Sequence, residues 1–160
     1  MAQIIVGVAD FKVSGNVEDL LVTYALGSCI AVAVFDAHAR VGGLLHFMLA
    51  DSSIDKKKAM MRPAMFADTG IPLLFKSCYK LGAEKKRMSV KVVGGANILD
   101  KDNRFQIGHK NITAIRKIFW KNNVFVDGED TGGDFNRTVR LDIATGTTYV
   151  SNAKGYEKII

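Results

Sequence analysis

Residues 29–49 read Cys-Ile-Ala-Val-Ala-Val-Phe, then Asp-Ala-His-Ala-Arg, then Val-Gly-Gly-Leu-Leu-His-Phe-Met-Leu. The outer two groups are apolar runs rich in side chains that favour β-strands, and the group between them is short and polar. Two such runs joined by a short polar segment are typical of an antiparallel β-hairpin. The sequence therefore predicts paired strands over 29–35 and 41–49.

The register of this hairpin brings a cysteine and a histidine together. If Asp36 and Ala39 flank a two-residue tip, Cys29 and His46 each lie seven positions from the nearer flanking residue. Residues placed in this way face each other, with Cβ atoms about 4.5–5.5 Å apart. An imidazole can take the proton of a neighbouring thiol, and the thiolate is the nucleophilic form of cysteine. The hairpin thus predicts a nucleophile and its base; the alternative is a buried cysteine and a core histidine that serve packing alone.

The composition is that of an ordinary globular chain, with 48% hydrophobic residues over a length of 160 that fits one domain, 1–160. No apolar stretch approaches the roughly 18 residues of a membrane helix, and residues 1–9 predict a first strand rather than a signal peptide. Two cysteines are too few for a disulfide framework or for zinc-ligand spacing. We therefore expect a cytoplasmic protein without direct membrane insertion and without a metal.

The chain is basic, with 22 Lys and Arg against 16 Asp and Glu, a net charge of +6. Basic residues cluster at 56–58 and 85–87 and recur singly along 101–121. One interpretation is attraction to an acidic partner; the other is a set of solvated loop and helix faces. Aromatic residues do not interleave with the basic ones as on a nucleic-acid platform, so we expect no nucleic acid as partner.

The remaining pattern predicts an α+β fold. Strands are expected at 4–11, 20–26, 88–93 and 124–127, and a second hairpin at 138–143 and 147–151. Helices are expected at 60–81, with a break or kink at Pro72, and at 108–122. Two helices cannot cover both faces of a sheet with so many strands. We therefore predict a mixed sheet folded into two layers with the helices outside.

Several motifs of this chain resemble the chemoreceptor glutamine deamidase family, CheD. The most specific are Thr23-Tyr-Ala-Leu-Gly-Ser-Cys29 and His46-Phe-Met-Leu49. Weaker matches follow in order along almost the whole chain: Phe66-Ala-Asp68, Gly94-Gly-Ala96, Ile107-Gly108 with Asn111, Glu129-Asp130, Gly132-Gly133 and Arg137.

The resemblance implies hydrolysis of glutamine side-chain amides on the cytoplasmic domains of chemotaxis receptors. It implies Cys29, His46 and Thr23 as the catalytic residues, with Thr23 orienting the His46 ring, and no cofactor. It also implies a CheC-type phosphatase as partner. The implied fold is a layered α/β/β sandwich, largely antiparallel, with two main helices, similar to the catalytic domain of cytotoxic necrotizing factors.

Four further residues are candidates for contact with substrate or with its oxyanion. Gly27 and Ser28 precede Cys29, and a bend there can point backbone N–H groups at a forming oxyanion. Gly94 and Gly95 are candidates to line the cleft that receives the substrate; the alternative is that they form only a tight turn. Glu129 and Asp130 are an acid–base pair or, as we favour, part of a structural turn beside Gly132-Gly133.

Two other functions remain open at this point. A chain with this fold could act mainly as a docking module that binds and modulates a CheC-type phosphatase, or as a basic nucleic-acid-binding domain. The Cys29–His46 pair could also hydrolyse esters such as methylated glutamate, because residue types alone do not separate an amidase from an esterase.

Overall fold

The computed structural model describes residues 2–98 and 104–160. Met1 and residues 99–103, which include the basic Lys101, lie outside the described residues. Within the described ranges the strands are β1 (Ala2–Ile5), β2 (Asp10–Ser14), β3 (Asp19–Leu26), β4 (Ile30–Asp36), β5 (Val41–Phe47), β6 (Met88–Gly94), β7 (Gly128–Thr131), β8 (Arg137–Asp142), β9 (Thr148–Ser151) and β10 (Glu157–Ile159). The α-helices are α1 (Lys56–Met61), α2 (Ala67–Lys80) and α3 (Ile107–Lys121).

These elements form three layers. One five-stranded sheet has the order β1-β3-β8-β9-β10 and the other the order β2-β5-β4-β6-β7. The pairs β1–β3 and β6–β7 are parallel, and the others are antiparallel. Helices α2 and α3 pack on the outer face of the second sheet, and its inner face packs on the first sheet. The predicted α/β/β sandwich with two main helices is confirmed. Among the described residues, every helix is too short or too polar to cross a lipid bilayer.

Strand β4 is apolar at every position from Ile30 to Phe35 because both of its faces are covered. Ile30, Val32 and Val34 face the helices, whereas Ala31, Ala33 and Phe35 face the first sheet. Both faces are therefore buried, and a strand covered on both sides has no polar alternation. As a result, β4 and its neighbour β5 carry their side chains into two separate apolar layers.

The hairpin between β4 and β5 is confirmed, but its register is not the predicted one. Asp36 pairs with Val41 across a four-residue turn, 37–40, instead of flanking a two-residue tip. The buried Asp36 carboxylate accepts hydrogen bonds from the N–H groups of His38 and Ala39, which closes the wider turn. It also forms an ion pair with Arg87 at 3.0 Å. Every facing pair shifts by two residues, so His46 faces Ala31 and not Cys29.

Other predicted boundaries also move. The strand predicted at 4–11 is two strands, β1 and β2, separated by a turn in which Ala9 has a φ of 57°. The helix predicted at 60–81 breaks at Pro63, because the residue before a proline is driven out of the helical region. Pro72 lies inside α2, whose apolar face is buried against the second sheet. Burial of that face offsets the hydrogen bond that proline cannot donate.

The prediction of a strand at 124–127 is wrong, because the strand that pairs with β6 begins only at Gly128. Asp127 donates its N–H to Val90, and the regular pairing with β6 starts at Gly128. Residues 124–126 are all apolar, but they pair with no strand within the described parts of the chain. Glu129 and Asp130 therefore lie in β7 rather than in a turn, and β10 adds an edge strand that the sequence pattern did not predict.

Candidate active site

His46 lies in the buried space between the two sheets, and Thr23 holds its ring. His46 on β5 is 1% exposed, and its Nδ1 is 2.8 Å from Oγ1 of Thr23 on β3. The same hydroxyl donates to the carbonyl oxygen of Val6 at 2.8 Å. A hydroxyl has one proton and a carbonyl can only accept, so Thr23 accepts from Nδ1–H of His46. This hydrogen-bond network assigns the tautomer in which Nε2 carries a free lone pair.

The environment of His46 keeps the imidazole neutral. Burial lowers the pKa of His46 from 6.5 to about 4, because the charged form loses its hydration. Nε2 is buried, and no hydrogen-bond partner for it lies among the residues that the structure describes. Buried polar atoms almost always have partners, and an unpaired one is a strong indication of a functional group. At neutral pH His46 therefore presents an unprotonated nitrogen that can accept a proton.

Cys29 projects into the same space as His46. It lies in the bend at 27–29 between β3 and β4, partly buried, with its side chain against the cluster between the sheets. His46 faces Ala31, two residues further along the same face, so Cys29 is its diagonal neighbour. The Cβ atoms of diagonal neighbours are about 7–8 Å apart. The imidazole ring of His46 is long enough to bring its nitrogen closer to the Cys29 sulfur than the two Cβ atoms are to each other. The predicted direct pairing is wrong, but a shift of two residues leaves both side chains on one face.

The Cys29 thiol is protonated in the free protein. Burial raises the pKa of Cys29, and its own backbone N–H, which hydrogen-bonds to the sulfur, lowers it by less. A raised thiol pKa and a lowered imidazole pKa both favour the neutral pair over a thiolate–imidazolium pair. The structure thus supports a nucleophile that loses its proton to Nε2 of His46 as it attacks, rather than one that is ionised beforehand.

Three consecutive carbonyl oxygens fix the loop that carries the thiol. The carbonyl of Gly27 accepts from the N–H of Ala96, and that of Cys29 accepts from the N–H of Gly95, both at 2.9 Å. Gly94 has a φ of +117°, and a Cβ there would overlap the Cys29 carbonyl oxygen, so only glycine fits. Gly94 and Gly95 therefore support the loop that carries Cys29. The N–H of Gly95 already donates to the Cys29 carbonyl, so it is not free to bind an oxyanion.

The remaining carbonyl, that of Ser28, is held by Asn111 on α3. Its Nδ2 donates to the carbonyl of Ser28 and to that of Met48, each at 2.9 Å. One side chain thus ties the loop of Cys29 to the residue that follows β5. The motif that contains Asn111 did not predict this role. The sequence did contain one indication of this role: Asn111 is a polar residue on the same helix face as the buried Ile115 and Phe119.

The N–H groups of the loop point away from these supports. The C=O and N–H of one trans peptide unit are antiparallel. Because the carbonyls of Gly27 and Ser28 point towards Ala96 and Asn111, the N–H groups of Ser28 and Cys29 point the other way. The Cys29 N–H lies beside its own sulfur, next to the atom that the sulfur would attack. This geometry fits an oxyanion site formed by Ser28 and Cys29.

A cleft of about 650 Å³ opens onto Cys29. Its walls come from the β3–β4 bend, the end of β6, the start of α3 and the 132–133 turn; they include Ala25, Ser28, Gly95, Ile112, Gly133 and Asn136. A β-bulge after Thr23 places Ala25 on the rim with a φ of 57°. His109 is exposed and lines the cleft, and His38 is exposed in the hairpin turn. A side-chain amide can therefore reach Cys29 from solvent.

Glu129 and Asp130 have structural partners, although they lie in β7 and not in the turn that we favoured. Asp130 pairs with the buried Arg137 at 3.3 Å and accepts from the Tyr156 hydroxyl, and Arg137 also binds the carbonyl of Gly132. Glu129 pairs with Arg116 on α3. This network supports the 132–133 turn at the cleft wall. Within the described parts of the chain, no three His, Cys, Asp or Glu side chains cluster as metal ligands would.

The two cysteines should differ in reactivity towards iodoacetamide. Cys78 is fully buried and burial raises its pKa to about 12, whereas Cys29 is partly exposed at the cleft. We expect Cys29 to be labelled first, at a rate that increases as the pH rises above neutral, because the thiolate is the reactive form. Peptide mass mapping over a time course measures both rates, and unfolded protein labelled at both sites is the control. Equal labelling of both cysteines in the folded protein would contradict this placement.

Thr23→Val should lower kcat by about 10²-fold, equivalent to about 2.7 kcal/mol of lost positioning. Valine keeps the shape of threonine but removes the oxygen that accepts from Nδ1–H, so the ring loses its orientation and tautomer. Thr23→Ser keeps the hydroxyl and should retain most of the rate. A Thr23→Val enzyme as active as the Thr23→Ser enzyme would rule out the orienting role.

Known proteins resemble this chain over nearly its full length. A family model described as CheD chemotactic sensory transduction matches residues 48–152. A Syntrophus aciditrophicus protein named "Probable chemoreceptor glutamine deamidase CheD 1" is 64% identical over 155 residues, 97% of each chain. A Solibacter usitatus protein named "Probable chemoreceptor glutamine deamidase CheD" is 46% identical over 160 residues, 99% of this chain and 95% of its own. A Pyrococcus horikoshii protein of the same name is 36% identical over 164 residues, 99% of each. These three alignments are long enough to include the residues before 48, where Thr23, Cys29 and His46 lie.

Proposed function

The chain belongs to the CheD family of chemoreceptor glutamine deamidases, and we propose that it hydrolyses glutamine side chains of chemoreceptors through Cys29, His46 and Thr23. The observation that carries the proposal is the state of His46. Its ring is neutral, Thr23 holds Nδ1, and the unpartnered Nε2 lies in the same buried space as the Cys29 side chain. A base in this state is what a neutral thiol needs in order to attack an amide.

In the first half of the reaction, the sulfur of Cys29 attacks the side-chain carbonyl carbon of glutamine. The thiol proton moves to Nε2 of His46, which becomes an imidazolium, and the carbonyl oxygen becomes an oxyanion. The N–H groups of Ser28 and Cys29 stabilise that oxyanion. The imidazolium then protonates the amide nitrogen, the C–N bond breaks, and ammonia leaves a thioester on Cys29.

In the second half, water replaces ammonia. Neutral His46 takes a proton from the water as its oxygen attacks the thioester carbon. The C–S bond breaks, the proton returns from His46 to the sulfur of Cys29, and the product is a glutamate side chain. Thr23 accepts from Nδ1–H throughout, which stabilises the imidazolium each time it forms. Apart from the substrate and water, every group named in these steps is a side chain or backbone group of this chain.

The cytoplasmic domains of receptors are the proposed substrates, which places the protein in the cytoplasm. Both cysteines of the chain are free, as a reducing compartment requires. A CheC-type phosphatase remains the proposed partner. The docking-module function finds no specific support, because the Thr23–His46 pair is buried and therefore suits chemistry better than docking.

Mass spectrometry of a receptor cytoplasmic domain tests the proposed function. After incubation with the protein, defined glutamines should show the mass increase that accompanies conversion of an amide to a carboxylate. A matched receptor domain with glutamate methyl esters at those positions separates amidase from esterase activity. Glutamines that stay unmodified across a panel of receptor domains would refute the proposal.

A further inference from the structure

Helix α3 connects the cleft to a second surface at the far end of the molecule. Its first turn, with Ile107, Gly108 and His109, lines the cleft at Cys29. From His109 the exposed positions Thr113, Arg116 and Trp120 follow at intervals of four, three and four residues, which places them on one helix face. At a rise of 1.5 Å per residue, this face extends about 16 Å away from the cleft. A continuous exposed strip therefore runs from the site of chemistry to Trp120.

The strip is basic and carries no counter-charge of its own. Helix α3 contains Lys110, Arg116, Lys117 and Lys121, all exposed, and no aspartate or glutamate. Arg116 pairs with Glu129 on β7, and the three lysines add positive charge along one side of the strip. Such a surface attracts a partner that presents acidic side chains along a similar length.

The distal end of the strip is aromatic and grooved. Trp120 is 80% exposed and Phe125 is 84% exposed. Phe125 separates a groove of about 740 Å³, which includes Met88 and Val90, from one of about 650 Å³, which includes Trp120 and Val126. Large exposed aromatic residues beside surface grooves mark binding surfaces, and Trp is enriched among residues that dominate binding energy. We call Trp120, Phe125 and these two grooves the distal patch.

From this continuity we propose that α3 and the distal patch dock an acidic, amphipathic helical segment of the receptor and so present its glutamine to Cys29. The inference rests on the proposed function and deepens it. The cleft alone recognises little more than an amide, so contacts remote from the reacting bond must select one glutamine among many. The grooves at the distal patch combine apolar side chains such as Val90, Val124 and Val126 with charged ones, of which Lys85, Lys86, Arg116 and Lys121 are basic and Glu84 and Asp127 acidic. Apolar and mainly basic groups side by side suit an amphipathic helix with acidic side chains.

Two double variants test the proposal in steady-state deamidation of a receptor cytoplasmic domain. Trp120→Ala/Phe125→Ala removes the aromatic anchors, and Lys117→Glu/Lys121→Glu reverses the charge of the strip. Each should raise KM by about tenfold or more. The kcat and the alkylation rate of Cys29 should stay unchanged, because neither change reaches the cleft. Unchanged KM in both variants, with wild-type deamidation intact, would overturn the docking surface and leave the proposed function standing.

Lys56→Glu/Lys57→Glu is the matched charge control. These lysines lie on α1, and Arg62 just after it binds the carbonyls of Val8 and Ala9 at the β2 edge of the second sheet. The control changes the net charge by the same amount as Lys117→Glu/Lys121→Glu. It does so near β2, at the edge of the second sheet opposite β7. It should raise KM much less than Lys117→Glu/Lys121→Glu, and added salt should weaken binding to the wild type more than to the α3 variant. Equal effects of both charge variants would show steering by net charge and refute a specific face.

Trp120 is the single tryptophan of the chain, so its fluorescence reports docking independently of catalysis. In folded Cys29→Ala protein, a receptor domain should shift Trp120 emission saturably, which supports the proposal even if deamidation itself were absent. No shift with the receptor domain would overturn it. A saturable shift with duplex DNA, abolished by salt, in place of the receptor response would assign the surface to nucleic acid and would also overturn it.

Discussion

Replacing Cys29 with alanine is expected to reduce glutamine deamidation to near the uncatalysed background, a loss of about 10⁴-fold or more. Without the sulfur no thioester can form. Water activated by His46 would then have to attack the unreactive amide carbonyl directly. The measurement is the rate of glutamine-to-glutamate conversion on a receptor domain by mass spectrometry, with folding checked by circular dichroism.

Cys78→Ala is the control for Cys29→Ala. Cys78 lies on α2, fully buried against the second sheet in the outer core layer, and has no route to the cleft. Its replacement leaves a small cavity that lowers the free energy of unfolding slightly, but the deamidation rate should stay that of the wild type. Folded Cys29→Ala protein that deamidates at the wild-type rate would refute both the mechanism and the assignment of the nucleophile.

His46→Ala should cause a loss of similar size, because it removes both the base that accepts the thiol proton and the acid that protonates ammonia. Combining it with Cys29→Ala should cost little more, since members of one catalytic unit are not additive. In the wild type, kcat/KM should fall on the acid side only as the pH approaches about 4, where the buried imidazole takes up a proton. An unperturbed histidine would instead give an acid limb near its usual pKa of about 6.5.

His38→Gln is the control for His46→Ala, because His38 is exposed in the hairpin turn at the end of β4 opposite Cys29. Its replacement should alter neither the rate nor the pH profile. A pH profile whose acid limb stays in place in a residually active His46→Ala enzyme would show that another group is the base.

The sequence predicted most of the local structure, because local structure depends on side-chain periodicity within short windows. The apolar runs of β4 and β5, the amphipathic pattern of α3 and the hairpin of β8 and β9 were all confirmed. The predictions failed where a partner lies far along the chain. Pro72 stays inside α2 because α2 packs against the sheet, whereas the break at Pro63 has a local cause that the prediction missed. Residues 124–126 pair with no strand of the described parts of the chain.

For the candidate site, too, the residue types were predictable from the sequence, whereas features that depend on distant segments were not. The motifs around Cys29 and His46 and the resemblance they carry predicted the chemistry, since reactive residue types and their spacing are properties of the sequence. The two-residue shift of the hairpin depends on Asp36, whose ion-pair partner Arg87 lies 51 positions away. The tautomer of His46 depends on a carbonyl at Val6, and the pose of the Cys29 loop depends on Asn111 and the 94–96 turn.

By itself, the sequence determined which groups could react: a thiol, an imidazole and a hydroxyl, on strands of an α/β/β sandwich. The tertiary structure alone decided their state and their relation. Burial between the two sheets lowers the pKa of His46, raises that of Cys29 and leaves Nε2 without a partner. Desolvation and hydrogen bonds between distant segments exist only once the layers have packed, and therefore no local pattern in the chain encodes them.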